Sequence, residues 1–151
     1  MNKIESFKVD HTKLDIGMYI SRVDDDITTF DIRMKKPNNN DYLTNASIHT
    51  IEHIFATFVR NTKYEKNIIY VGPMGCRTGF YFITRNLDEQ IAIELVLNSF
   101  LFIKDFNQEI YGLSAVECGN YLEHDLEQAK KDVLPVIEVL KNYSKKDLLY
   151  K

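Results

Sequence analysis

An α+β fold is the class this sequence predicts, a layered α/β sandwich in which an antiparallel-rich sheet packs against helices in one domain covering residues 1–151. Three observations carry that reading. Apolar and polar residues roughly alternate before residue 35 and short β-rich runs occupy 67–72 and 79–84, whereas apolar residues recur at three- and four-residue spacing over 45–60 and 87–105. The strand-like and helix-like runs segregate along the chain, which favours α+β over a wound parallel sheet. At 151 residues, 44% of them hydrophobic, the chain has the size and composition of one ordinary domain, with no linker-like stretch and no internal repeat.

Taken in order, Met18, Ile20 and Val23 and then Phe30 and Ile32 alternate with polar residues and predict a hairpin. Lys35 to Asp41 (KKPNNND) is polar and rich in turn formers, so an exposed loop follows. Over Asn45 to Arg60, the spacing of Ile48, Ile51, Phe55, Phe58 and Val59 predicts a helix with Thr44 or Asn45 as N-cap. Asn67–Gly72 and Gly79–Thr84 are short β-rich runs on either side of the loop PMGCRT. Leu87 to about Asp105 has helical periodicity with Asp88 as N-cap. A third amphipathic stretch runs from Gly119 to Leu140, and Pro135 should kink or break it.

Nineteen basic against 22 acidic residues give a formal charge of −3, which leaves no electrostatic footprint for nucleic acid or an anionic membrane. The most apolar window, Ile91 to Ile103, is interrupted by Glu94, Asn98 and Ser99 and reads as a core helix, not a membrane span. The first residues, MNKIESFKVD, carry charges where a signal peptide would be apolar, so a cytoplasmic protein is expected. In that reducing setting Cys76 and Cys118 are more naturally catalytic, metal-binding or merely buried than disulfide-bonded.

The chemistry concentrates in HTIEH, His49 to His53. At 100° per residue the two histidines project from nearly one face of the helix, with Glu52 on the flank. Two imidazoles one turn apart suit a divalent transition metal, and an unligated carboxylate beside them can handle protons. A catalytic metal needs a third protein ligand. Cys118 is a candidate, with Gly119 allowing close backbone approach. Cys76, between Gly75 and Arg77, sits where backbone amides and a guanidinium could activate a thiol. His11 and His124, each seen alone, read as structural or surface residues. Arg33 shares a strand face with Asp31 and either forks onto a ligand carboxylate or simply pairs, exposed, with that aspartate.

Several segments together resemble the S-ribosylhomocysteine lyase (LuxS) family: ESFKVDH (Glu5–His11), FDIR (Phe30–Arg33), HTIEH, GPMGCRTGFY (Gly72–Tyr81) and ECGNYLEHDLEQAK (Glu117–Lys130). They occur in family order across nearly the whole chain, which makes the set far more specific than HxxEH alone. The resemblance implies a homodimer with two active sites at the subunit interface and an Fe²⁺ centre that Zn²⁺ or Co²⁺ can replace. The implied reaction cleaves S-ribosylhomocysteine to homocysteine and 4,5-dihydroxy-2,3-pentanedione, a quorum-sensing precursor, as a step in methionine recycling. Carried over by motif, His49, His53 and Cys118 would hold the metal, Glu52 and Cys76 would be the acid/base pair, and Ser6, His11 and Arg33 would contact substrate. The chain departs from the family's usual pattern at Tyr70–Gly72, where an acidic residue, an apolar one and Ser are more common. Contacts to the homocysteine end are the feature this departure bears on.

Two other readings compete. An HxxEH metallopeptidase would use Glu52 to activate water, but such enzymes are longer and take a downstream glutamate as third ligand. A non-catalytic His₂Cys metal-binding protein is the other.

Overall fold

The computed structural model describes residues 1–151. Four strands, β1 (Gly17–Asp24), β2 (Ile27–Arg33), β3 (Ile68–Pro73) and β4 (Gly79–Arg85), form one antiparallel sheet in the order β1-β2-β4-β3. The expected hairpin is β1–β2, with Asp25 in the left-handed region (φ 54°) at its turn. Both β-rich runs around PMGCRT are strands and form a second hairpin.

Alternation decides what each face of the sheet does. Met18, Phe30, Ile32, Phe80 and Phe82 are fully buried on one face, and the helices pack over them. Phe30 lies opposite Phe82, and Phe55 of the first helix touches both Phe80 and Phe82. Tyr19, Asp31, Arg33 and Tyr81 occupy the other face, where Tyr150 near the end of the chain packs on Tyr19 and bonds Asp31. At Gly79 the strands come so close that a Cβ would collide with the Ile32 carbonyl.

Helix α1 (Asn45–Val59) starts at Thr44, whose hydroxyl accepts from the Ser47 amide at 3.2 Å. Its buried stripe includes Ile48, Ile51, Ile54, Phe55 and Val59. Phe58, expected on that stripe, is only partly buried and packs on Phe102. Helix α2 (Glu89–Lys104) is capped by Asp88, as the sequence predicts. The third amphipathic stretch is two short helices, α3 (Leu126–Asp132) and α4 (Leu134–Leu140), and the break falls just before Pro135, which sits in the first turn of α4. No helix is long and apolar enough to cross a membrane.

Three short 3-10 segments have no counterpart in the sequence pattern: Glu5–Phe7 near the start, Glu65–Asn67 before β3 and Lys145–Leu148 near the end. The last is held by a Ser144–Asp147 capping box and by the burial of Leu148, neither of which is a matter of periodicity.

Candidate metal centre and adjoining cleft

The burial stripe of α1 leaves His49, Glu52 and His53 half-buried beside it. His49 Nδ1 lies 2.8 Å from the Glu123 carbonyl and His53 Nδ1 lies 2.7 Å from the Tyr111 carbonyl. A carbonyl only accepts, so in both rings Nδ1 carries the proton and donates, and Nε2 presents its lone pair. This is the tautomer a metal ligand needs, fixed from behind in each case. Gly112 makes the second lock possible. It has φ +71°, and a Cβ there would stand 3.3 Å from His53 Nδ1.

The two Nε2 lone pairs converge with a thiol. Cys118 Sγ is 3.3 Å from His49 Nε2, and one donor atom from each of His49, His53 and Cys118 lies within 4.8 Å of the others. Ligands at ordinary Zn–N and Zn–S distances in a tetrahedron stand about 3.6 Å apart, so the three donors fit one divalent ion with a position left open. Two soft-to-borderline nitrogens and a sulfur suit Fe²⁺, Zn²⁺ or Co²⁺. Gly119 has nothing within 4 Å of its would-be Cβ, so the close approach expected there is absent. Instead, the backbone amide of Asn120 donates to Cys118 Sγ at 3.4 Å. The carboxylate of Glu52, on the same helix, has no hydrogen-bond or ion-pair partner and is free to act on protons.

His124 belongs to this cluster as a wall and not as a donor. Its ring stacks on His49 with centroids 4.1 Å apart and meets His53 edge-on at 4.9 Å. Nδ1 is tied to the Thr50 hydroxyl at 3.0 Å, whereas Nε2 is buried without a partner. Burial, then the neighbouring imidazoles, push its pKa down to about 4, so it is neutral near pH 7. Read as a lone histidine it gave no signal; only the fold brings it back to α1 from 74 residues away.

The other expected residues gather elsewhere. Ser6, His11, Arg33 and Cys76 line one surface cleft of about 280 Å³, together with Phe7 and Tyr81. None of His49, Glu52, His53 or Cys118 lines it. Cys76 is an exposed free thiol in the β3–β4 loop, whose shape is pinned by backbone bonds from Met34 and Lys35 to Thr78 and from Leu43 to Arg77. His11 Nδ1 donates to the Val9 carbonyl at 2.9 Å, leaving Nε2 available.

Arg33 is paired with Asp31, as one of the two sequence readings had it, but it is buried at 3% exposure where that reading expected an exposed side chain. Nε donates to Asp31 Oδ1 at 3.1 Å and Nη2 to Oδ2 at 2.6 Å, so Asp31 fills the fork. Burial opposes the charge, but the hydrogen bonds and charge of Asp31 outweigh it and raise the guanidinium above an ordinary arginine. Nη1 donates to Thr78 Oγ1 at 2.7 Å and lies 3.9 Å from Cys76 Sγ. Thr78 Oγ1, having accepted from Arg33, can donate its own proton to Cys76 Sγ at 3.0 Å. What Arg33 offers the cleft is therefore its Nη1 edge.

Comparison with known proteins agrees with this architecture. The family model for S-ribosylhomocysteinase (LuxS) matches residues 4–147. Proteins described as S-ribosylhomocysteine lyase are similar along nearly their whole length. That of Borreliella afzelii is 46% identical over 156 residues and that of Desulfotalea psychrophila 48% over 157, each alignment covering 99% of both chains. That of Finegoldia magna is 44% identical over 155 residues, again with 99% of each chain covered.

Proposed function

This chain belongs to the S-ribosylhomocysteinase (LuxS) family and is an enzyme of the lyase class, and we propose that it cleaves S-ribosylhomocysteine to homocysteine and 4,5-dihydroxy-2,3-pentanedione. The observation that carries the reading is the pair of histidines on α1, each locked by a carbonyl so that its Nε2 turns toward the Cys118 thiol. A thiol as third donor, where a peptidase of the HxxEH type has a carboxylate, sets the hydrolytic reading aside.

His49, His53 and Cys118 would hold Fe²⁺, which Zn²⁺ or Co²⁺ can replace. The bound ion would supply Lewis-acid polarisation of the sugar's carbonyl and hydroxyl oxygens. The residues of the chain handle protons and position. Glu52 and Cys76 take protons from and return them to the sugar carbons as the carbonyl moves from C1 to C3. With the ketone at C3, the C4 proton is acidic. A base removes it, the C4–C5 double bond forms, the C5–S bond breaks and the sulfur leaves as a thiolate that is protonated to homocysteine. Ser6, His11 and the Nη1 edge of Arg33 would hold the substrate within the cleft beside Cys76.

The cleft beside Cys76 is lined by Arg33 and Tyr81, from the sheet face opposite the one the helices cover, and by none of the metal-cluster residues, so within one chain the two groups line different surfaces. A homodimer with its active sites at the interface answers that separation. The exposed apolar side chains Ile4, Phe7 and Tyr70 support such an interface. A cytoplasmic location and a role in methionine recycling, with a signal precursor as by-product, complete the proposal. Incubating Fe²⁺- or Co²⁺-loaded protein with S-ribosylhomocysteine should release homocysteine, read by mass spectrometry. Absence of both products from loaded, folded protein overturns the assignment.

A further inference from the structure

The candidate metal cluster on α1 and the cleft beside Cys76 give no role to Tyr150, the penultimate residue of the chain. We propose that Tyr150 is a positioning residue which, acting through Asp31, holds the Arg33 guanidinium in register with the substrate cleft. The proposal rests on the reading of Arg33 as a substrate contact.

Asp31 and Arg33 are 2% and 3% exposed, a buried pair whose geometry matters because neither partner can turn to water instead. Asp31 Oδ2 accepts from Arg33 Nη2 at 2.6 Å and, in addition, from the Tyr150 hydroxyl at 2.7 Å. With Oδ1 taken by Arg33 Nε, the carboxylate cannot rotate without losing bonds on both sides. Tyr150 is itself fixed. Its ring lies on Tyr19 with centroids 5.1 Å apart and 17° between planes, and Tyr19 is the β1 residue paired opposite Asp31. The 3-10 turn Lys145–Leu148 just before it is closed by a Ser144–Asp147 capping box and anchored by buried Leu148, which aims the end of the chain at this spot.

Tyr150 also borders two spaces. It lines both a cavity of about 360 Å³, shared with Lys8, Lys13 and Tyr19, and the small recess lined by Ser6, His11, Asp31 and Arg33. Removing the hydroxyl frees one lone pair of Asp31 Oδ2 toward the recess that both residues line. The carboxylate can then turn to water, and the guanidinium it holds follows it out of register.

The test is Tyr150→Phe, which keeps the ring and its stack and deletes only the hydroxyl. KM for S-ribosylhomocysteine should rise about tenfold and kcat should fall by much less, because the deleted hydroxyl bonds Asp31 and touches neither acid/base group nor any metal donor. Hydrogen exchange at Arg33 Nε–H, followed by ¹⁵N NMR, should accelerate by about tenfold, a signature that does not depend on turnover. Tyr19→Phe is the control: its hydroxyl donates to the Asp15 carbonyl at 3.0 Å and not to Asp31, so KM and exchange should stay at wild-type values. Wild-type KM or unchanged Arg33 exchange in Tyr150→Phe overturns the proposal. So does an equal loss in Tyr19→Phe, or a lowered Tm with kcat and KM impaired together, since either marks a merely structural role. If wild-type protein fails to turn over S-ribosylhomocysteine, the lyase reading falls, and the exchange rate alone then decides: faster exchange upholds the positioning of Arg33 by Tyr150, and unchanged exchange overturns it.

Discussion

Replacing Arg33 by lysine keeps a cation opposite Asp31 but removes the geometry that buries the pair. The guanidinium donates through Nε and Nη2 to both Asp31 oxygens and through Nη1 to Thr78 Oγ1, at 3.1, 2.6 and 2.7 Å. An ammonium is a point donor that can retain one of these contacts and must release the others. A hydrogen bond to a charged partner is worth about 1.5–3 kcal/mol, and breaking a buried pair outright costs about 3–5 kcal/mol. Arg33→Lys weakens the pair without abolishing it, so the expected loss of stability is about 2–4 kcal/mol. For a domain of this size that is roughly 5–15 °C in Tm. Thermal and urea unfolding measure the structural part. The substrate part is measured as kcat/KM, below the Tm of the variant, on S-ribosylhomocysteine and on an analogue lacking the amino-acid carboxylate. The variant should lose more on the true substrate than on the analogue. A wild-type Tm would refute the buried fork as a source of stability, and equal losses on both substrates would show that Arg33 acts only through the scaffold.

Other perturbations separate the proposed metal donors from the proposed proton-handling groups. Cys118→Ala should lose most bound metal and change the Co²⁺ absorption spectrum; full metal content with an unchanged spectrum would remove Cys118 from the ligand set. Glu52→Gln and Cys76→Ala should retain metal yet fall to a small fraction of wild-type kcat, a loss of about 10²-fold or more for an essential acid/base group. Wild-type turnover by either variant removes that residue from the chemistry. Asp88 caps α2 and pairs with Lys145 at 2.7 Å, and the lysine contact holds its carboxyl below the ordinary 3.8. A depressed folded pKa means stability fully present above about 3.8 and lost as pH falls through the lower, folded value. Asp88→Asn keeps the cap but not the charge, so urea unfolding should separate it from wild type near neutral pH and bring the two together in strong acid.

The parts of the fold that follow from short-range pattern were legible. Helix α1 is announced by its apolar spacing and by Thr44, and the α3–α4 break by Pro135, because periodicity and backbone chemistry act within a few residues. Two members of the candidate metal cluster were legible for the same reason, His49 and His53 being one turn apart on one helix. What stayed hidden depends on residues distant in sequence. The stacking of His124 on His49, the Tyr111 carbonyl behind His53 and the contact between Tyr150 and Asp31 span 75, 58 and 119 residues. No local periodicity encodes them. Arg33 shows the limit most clearly: its strand and its pairing with Asp31 were readable, but its burial was not, because that depends on Tyr150 and the 3-10 turns folding over an otherwise open sheet face.

A site shared between two copies is tested most directly by a mixed dimer in which one differently tagged subunit carries Glu52→Gln and the other Cys76→Ala. Each single variant alone should be nearly inactive. The purified mixed dimer pairs the intact Glu52 of one subunit with the intact Cys76 of the other at one of its two sites, so it should release homocysteine at about half the wild-type rate per dimer. A mixed dimer as inactive as its parents, alongside active wild-type protein, would mean that both groups act within a single chain and would contradict the shared site.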